Sequence, residues 1–231
     1  MKKFGFTLAE ILIALAIVGV VAAISIPTMV TENKKKIYAN SLSAAVSSLE
    51  NAITTAIITD GQTSIEDTSA WKNSVDKFVT ELLAKRMQLT TDGSFDANEI
   101  KTFNKAISWE GLGLDELRGN GCVFESKKGY TGVIFDKLSK VEQPTLRLSK
   151  PVALVVIDVT GNKKPNILGR DVFLYILNND GYLFPYGGDA YNRYTDKNYD
   201  ITKHCNPKSS DSNNGVACAA RLAQNGYKMD Y

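Results

Sequence analysis

The sequence predicts an α+β chain in which a long helix comes first and an antiparallel sheet follows. Three observations carry this. Residues 6–26 are an apolar run with one acid, Glu10, near its start. Beyond it an apolar stripe at helical spacing continues to Thr59. From Gly121 the texture changes to short β-branched and aromatic runs separated by turn residues.

At about 1.5 Å per residue, Phe6 to Ile26 gives roughly 31 Å of helix, enough to cross a bilayer's hydrocarbon core. Lys2 and Lys3 precede the run, with Phe4-Gly5 between. An acid inside such a span costs about 2.5–3.5 kcal/mol at mid-membrane and less near an interface. Glu10 therefore calls for a partner, and an α-amine created by cutting after Gly5 is the candidate.

Lys2-Lys3-Phe4-Gly5-Phe6-Thr7-Leu8-Ala9-Glu10 resembles the class III leader of type IV pilins and type II secretion pseudopilins. The resemblance implies cleavage between Gly5 and Phe6 by a prepilin peptidase, and methylation of the new Phe6 amine by the same enzyme. It implies that Glu10, the fifth residue of the mature chain, neutralises the N-terminal amine of a neighbouring subunit in a filament core. Pro27 stands where family members carry a helix-kinking or helix-melting proline. Two plainer readings compete. A secretory signal would use Ala23 and Ser25 as small residues at its cleavage site, but the run is longer than an ordinary h-region and holds an acid. A plain anchor leaves Gly5-Phe6 and Glu10 unexplained.

A hydrophobic content of 44% with 23% charged residues belongs to a folded chain, not a disordered one. The net charge is +2 from 27 basic and 25 acidic residues, and loss of Lys2 and Lys3 balances the side chains. No global basic field attracts nucleic acid, so none is expected as a partner. Lys2 and Lys3 place the N-terminus in the cytoplasm by the positive-inside rule, while Lys34-Lys35-Lys36 on the far side opposes that orientation. The leader decides for the first.

After Pro27, residues 28–59 continue as a helix whose stripe is Tyr38, Leu42, Ala45, Leu49, Ala52 and Ala56. A continuous helix from Phe6 to Thr59 would be about 80 Å long. Asp60-Gly61 ends it, with Gly61 as a C-cap. A helical insertion over about 69–107 is expected next. Its first helix is capped by Ser69 and runs to Arg86, with Trp71, Val75, Phe78, Val79, Leu82 and Leu83 on one face. A second, with a capping-box pattern at Asp96-Ala-Asn-Glu, runs to Ile107. Four or five strands follow over about 121–186, at Cys122–Glu125, Tyr130–Phe135, Pro151–Asp158, Val172–Leu177 and Tyr182–Phe184. Asn179-Asp180-Gly181 is a hairpin turn between the last two. With the resemblance, this order implies a pilin-like fold.

An exported domain is oxidised, so of Cys122, Cys205 and Cys218 two are expected to bridge. The favoured pair is Cys205–Cys218, whose loop over about 205–218 would resemble the C-terminal disulfide loop of many pilins. Cys122 with either of the others is the open alternative. A zinc site from these cysteines and His204 matches no zinc spacing. Asp158, Asn162, Asn166 and Asp171 are weak calcium candidates, since major pseudopilins carry calcium in a late loop. EF-hand spacing is absent, Lys163-Lys164 opposes a cation, and Asx turns explain these residues unaided. No cofactor is therefore expected. Tyr182, Phe184, Tyr186, Tyr191, Tyr194 and Tyr199 form a late aromatic set better suited to packing than to binding. No nucleophile elbow or phosphate loop is present, and enzyme chemistry is not expected.

The expectation is a filament subunit of a type IV pilus or a type II secretion pseudopilus. Residues 1–5 are the leader, 6–27 the membrane and filament-core helix, and 28–231 an exported globular domain. Its expected partners are its own copies or other pilin-like subunits, the prepilin peptidase and methyltransferase, and an inner-membrane assembly platform. The alternatives are an adhesion or DNA-uptake minor pilin, and an anchored exported domain that does not polymerise.

Overall fold

The computed structural model describes residues 5–90, 100–103, 121–135, 150–161, 163–188, 199–211 and 213–231. The chain divides into two units, Met1–Ile37 and Tyr38–Tyr231. Helix α1, Leu8–Thr59, contributes to both. In the first unit every large apolar side chain from Phe6 to Val30 is exposed. This stretch is long and apolar enough to cross a membrane, and it buries nothing of its own.

In the second unit α1 turns a buried stripe inward: Ala39, Leu42, Ala45, Val46, Leu49, Ala52, Ile53, Ala56 and Ile57. Ala39, Val46, Ile53 and Ile57 widen the predicted stripe by one row, as a helix lying on a sheet needs. Gly61 takes φ +68, and two bonds close the helix: Gly61 N–H to the Ile58 carbonyl and Gln62 N–H to the Ile57 carbonyl. This is a Schellman end, for which glycine is the residue of choice.

The first helix expected in the insertion is broken into several pieces. Thr68, not Ser69, caps α2 (Ser69–Asn73), accepting from the Trp71 N–H. Asp60 occupies Ser69 instead, taking its N–H at 2.6 Å and its hydroxyl at 3.0 Å. The helix breaks at Ser74, whose extended backbone allows its hydroxyl to cap α3 (Val75–Lys77). A π-helical stretch, Phe78–Leu83, and α4 (Ala84–Met87) complete it. Val75, Phe78, Val79, Leu83 and Met87 are buried. The second expected helix, Asp96 to Ile107, lies mostly outside the described residues. Its described part, 100–103, is not helical: Lys101 pairs with Ile167 as an isolated parallel bridge.

The sheet is an antiparallel meander in the order β1-β2-β3-β4-β5-β6. The strands are β1 Leu89–Thr90, β2 Gly121–Ser126, β3 Thr131–Phe135, β4 Pro151–Asp158, β5 Val172–Asn178 and β6 Leu183–Pro185. The described residues thus hold six strands where four or five were expected. The added one is β1, which pairs Leu89 with Ser126 and Thr90 with Glu125.

Both faces of the sheet are covered, which is why β4 and β5 read as unbroken apolar runs. Phe173, Tyr175 and Leu177 join Leu42, Leu49 and Ile53 of α1 in one core cluster. Val172, Leu174 and Ile176 pack on the other face with Leu168, Tyr186, Tyr199, Val216 and Ala217. Of the C-terminal helices that cover the sheet, α5 (Ile201–His204) packs Ile201 on this second cluster, whereas Cys218, Ala219 and Leu222 of α6 (Cys218–Gln224) join the first. The β5–β6 turn presses on α1: a Cβ at Gly181 would stand 3.1 Å from Ile53 Cγ2 and 3.2 Å from Ile57 Cδ1. Gly181 also has φ +93, so the turn needs glycine twice over. The whole is the α+β, pilin-like arrangement of a long helix and a C-terminal antiparallel sheet.

Candidate processing and assembly site

Thr7 and Glu10 form a reciprocal capping box at the start of α1. The Thr7 N–H and hydroxyl both donate to Glu10 Oε2 at 2.8 Å. The Glu10 N–H donates back to Thr7 Oγ1 at 3.3 Å. All three bonds are exposed, so the acid finds a partner within its own first turn in the isolated chain. Thr7 thus joins Gly5, Phe6 and Glu10 among the candidate site residues. Thr-x-x-Glu ahead of an apolar run is its signature and stands in plain view.

Phe6 is 83% exposed. A Cβ at Gly5 would meet nothing within 4 Å. The Gly5–Phe6 bond is therefore uncovered. Pro27 lies inside α1 and lacks the N–H that would bond the Ala23 carbonyl. Three hydroxyls around it bond the backbone: Ser25 to the Val21 carbonyl (2.8 Å), Thr28 to that of Ser25 (2.8 Å) and Thr31 to that of Pro27 (2.9 Å). Through them the polar side chains of this stretch meet their hydrogen bonds within the helix.

In the C-terminal region Cys205 and Cys218 are joined by a disulfide with Cα atoms 4.8 Å apart. The loop between them is filled by its own hydrogen bonds. Asn214 Nδ2 donates to the carbonyls of Asn206 and Ser209, and its Oδ1 accepts the Asn206 N–H. Arg221 ties the loop to the C-terminus, donating to the Cys205 carbonyl at 2.8 Å and pairing with Asp230 at 2.9 Å. His204 is buried beside this loop, with Nδ1 2.9 Å from the Asp200 carbonyl and its ring edge-on to Tyr199. Cys122 is a free, buried thiol. Burial, and then the neighbouring Asp76, push its pKa up to about 12.

Of the calcium candidates, Asn162 lies outside the described residues. Asp158 makes an Asx turn, its Oδ1 accepting the N–H and hydroxyl of Thr160 at 2.8 Å. Asp171 Oδ1 accepts the Ile167 N–H, and Arg170 stands 3.5 Å from its Oδ2. Asn166 takes φ +50 and is buried, as a turn residue of this loop. Among the described residues no three His, Cys, Asp or Glu side chains gather as a metal site. In the aromatic set, Tyr186 and Tyr199 are buried against each other with centroids 5.6 Å apart, whereas Tyr182 is exposed. Tyr191 and Tyr194 lie outside the described residues.

Residues 1–26 match the prokaryotic N-terminal methylation motif, the prepilin-type leader of type IV pilins and pseudopilins. Neither a curated relative nor a solved structure matches the chain.

Proposed function

From a chain that opens with a prepilin-type leader, we propose a structural subunit of a type IV pilus-like or type II secretion pseudopilus filament. The observation that carries it is the pairing of that leader with a bare apolar helix holding one acid, Glu10. A prepilin peptidase cuts between Gly5 and Phe6, and the Phe6 amine is methylated. Residues 6–27 store the subunit in the inner membrane with the N-terminus cytoplasmic and residues 28–231 outside. An assembly platform then moves the helix from lipid into a bundle of neighbouring copies or other pilin-like subunits. Exchanging lipid for helices keeps the apolar surface covered, so the transfer carries no large hydrophobic penalty.

Glu10 sets the register, because an unpaired carboxylate in a filament core is costly until it meets a neighbour's Phe6 amine. Thr7 holds that carboxylate beforehand, and handing it to the amine exchanges two neutral donors for a charged one. The chain itself performs no catalysis in this role.

Two measurements test the reading. The N-terminal peptide recovered from bacterial membranes should begin at methylated Phe6. Cleavage near Ser25 would mean a secreted domain, and an intact Met1 a plain anchor. Glu10→Ala should leave folding and cleavage unchanged but lower incorporation into filaments, and a normal filament yield from it would sink the assembly role.

A further inference from the structure

Lys34, Lys35 and Lys36 follow closely on the apolar part of α1 and have no part in the assembly just described. Lys35 is half-buried and pairs with Glu32 at 3.1 Å. Lys34 and Lys36 are exposed, and among the described residues neither has a carboxylate partner. Successive helical residues point about 100° apart, so the three lysines sweep about 200° of the helix circumference. A flat protein surface or groove meets one face of a helix and cannot reach all three. A medium that surrounds the helix can.

Their depth points to the same medium. Lys34 is 28 positions beyond Phe6, which places its Cα about 42 Å along the helix. Helical side chains lean back over the preceding turn, so the ammonium lies roughly 5 Å nearer the N-terminus. A bilayer holds about 30 Å of hydrocarbon within about 40–45 Å that includes its headgroups. With Phe6 at one edge of the hydrocarbon and the helix tilted by the ordinary angle of about 20°, the ammonium groups stand about 35–38 Å along the membrane normal, at the outer part of the headgroup layer opposite.

We propose that Lys34, Lys35 and Lys36 form a collar that binds the phosphates of anionic phospholipids around the emerging helix. The proposal rests on the membrane-anchoring part of the function given above. Phosphate is the recognised group, and lipid is its source here because only lipid encircles the helix at that depth. Glu32 neutralises Lys35, so Lys34 and Lys36 supply the uncompensated charge.

The test uses the full chain reconstituted in mixed phosphatidylglycerol and phosphatidylcholine bilayers with trace spin-labelled lipid of either kind. Paramagnetic resonance reads the motionally restricted lipid next to the protein. Spin-labelled phosphatidylglycerol should be preferred about fivefold beside each uncompensated lysine, the factor that about 1 kcal/mol near an anionic surface gives. The preference should at least halve when Lys34, Lys35 and Lys36 are all changed to Gln, and persist when all are changed to Arg. Equal treatment of the two lipids by the wild type, or an unchanged preference in the Gln variant, overturns the collar. So does its loss to inorganic phosphate at an ionic strength where chloride leaves it intact, which would assign the site to free phosphate. No restricted signal from either probe means the helix is not in the bilayer, and overturns the anchoring reading and the collar together.

Discussion

Glu50 reaches from α1 to the edge of the sheet, where its Oε1 accepts the Leu183 N–H at 2.9 Å. β6 pairs with β5 through Leu177–Leu183, Ile176–Phe184 and Tyr175–Pro185. Leu183 directs its amide away from β5, and Pro185 has none. The outer edge of β6 is thereby stripped of backbone donors, which guards it against pairing with another chain.

Glu50→Ala is expected to leave a buried amide without an acceptor and to cost about 1–3 kcal/mol. Glu50→Gln keeps an acceptor oxygen and should cost less. Denaturant unfolding of the detergent-solubilised chain measures the loss, and faster exchange of the Leu183 amide locates it.

Gly169 lies directly against the disulfide. A Cβ there would stand 2.5 Å from Cys218 Sγ, and the φ of +84 disfavours any L side chain. Gly169→Ala should therefore impair closure of Cys205–Cys218, seen as extra reactive thiol in the native protein. Cys218→Ser, which removes the closure outright, is expected to cost about 3 kcal/mol for a loop of this size.

Cys122 provides an internal reporter. A thiol buried and pushed up to about 12 is almost wholly protonated at neutral pH and shielded from reagents. Alkylation near pH 8 should be negligible while the chain is folded and rapid once denaturant unfolds it. Ready labelling of the native protein would contradict the packing of β2 described above.

Acid should loosen the C-terminal cover. Asp200 is held below the usual carboxylate range by the Thr202 hydroxyl and then the N–H groups of Thr202 and Lys203. The Asn213 N–H does the same for Asp211, and Arg221 for Asp230. Acids depressed in this way stabilise the fold fully above their unfolded value of about 3.9, and that stability is lost as pH falls through their lower folded values. Asp171 acts in the opposite sense. Burial raises its pKa, so its protonation favours the folded state as pH falls through that raised value. The melting temperature should hold or rise slightly on mild acidification and then drop steeply below about pH 4. Asp211→Asn should flatten that drop.

The parts of the fold that were legible in the sequence are those fixed by local pattern. The stripe of α1, the Gly61 end and the β3 to β5 runs follow from periodicity and turn chemistry within a few residues. The missed parts depend on partners distant in sequence. Leu89–Thr90 is a strand only because β2 lies beside it. Ser69 and Thr68 are equally good caps by composition, and Asp60 decides between them. Ser74 breaks a helix that its apolar neighbours would continue. Glu50 and Leu183 are 133 positions apart, beyond any local signal. At the N-terminal site the leader and Glu10 were legible as chemistry, and the bond between Thr7 and Glu10 has a local signature too, Thr-x-x-Glu before an apolar run.

Among the described residues every strand pairs with its neighbour in sequence. Such a sheet can be laid down in the order in which the polypeptide is delivered, each hairpin closing on the one before. On the proposed topology, a chain threaded through a translocon with its anchor in lipid would build its sheet during transit. Each arriving strand would cover the exposed edge left by its predecessor, so the interval in which a naked edge faces other chains would be short.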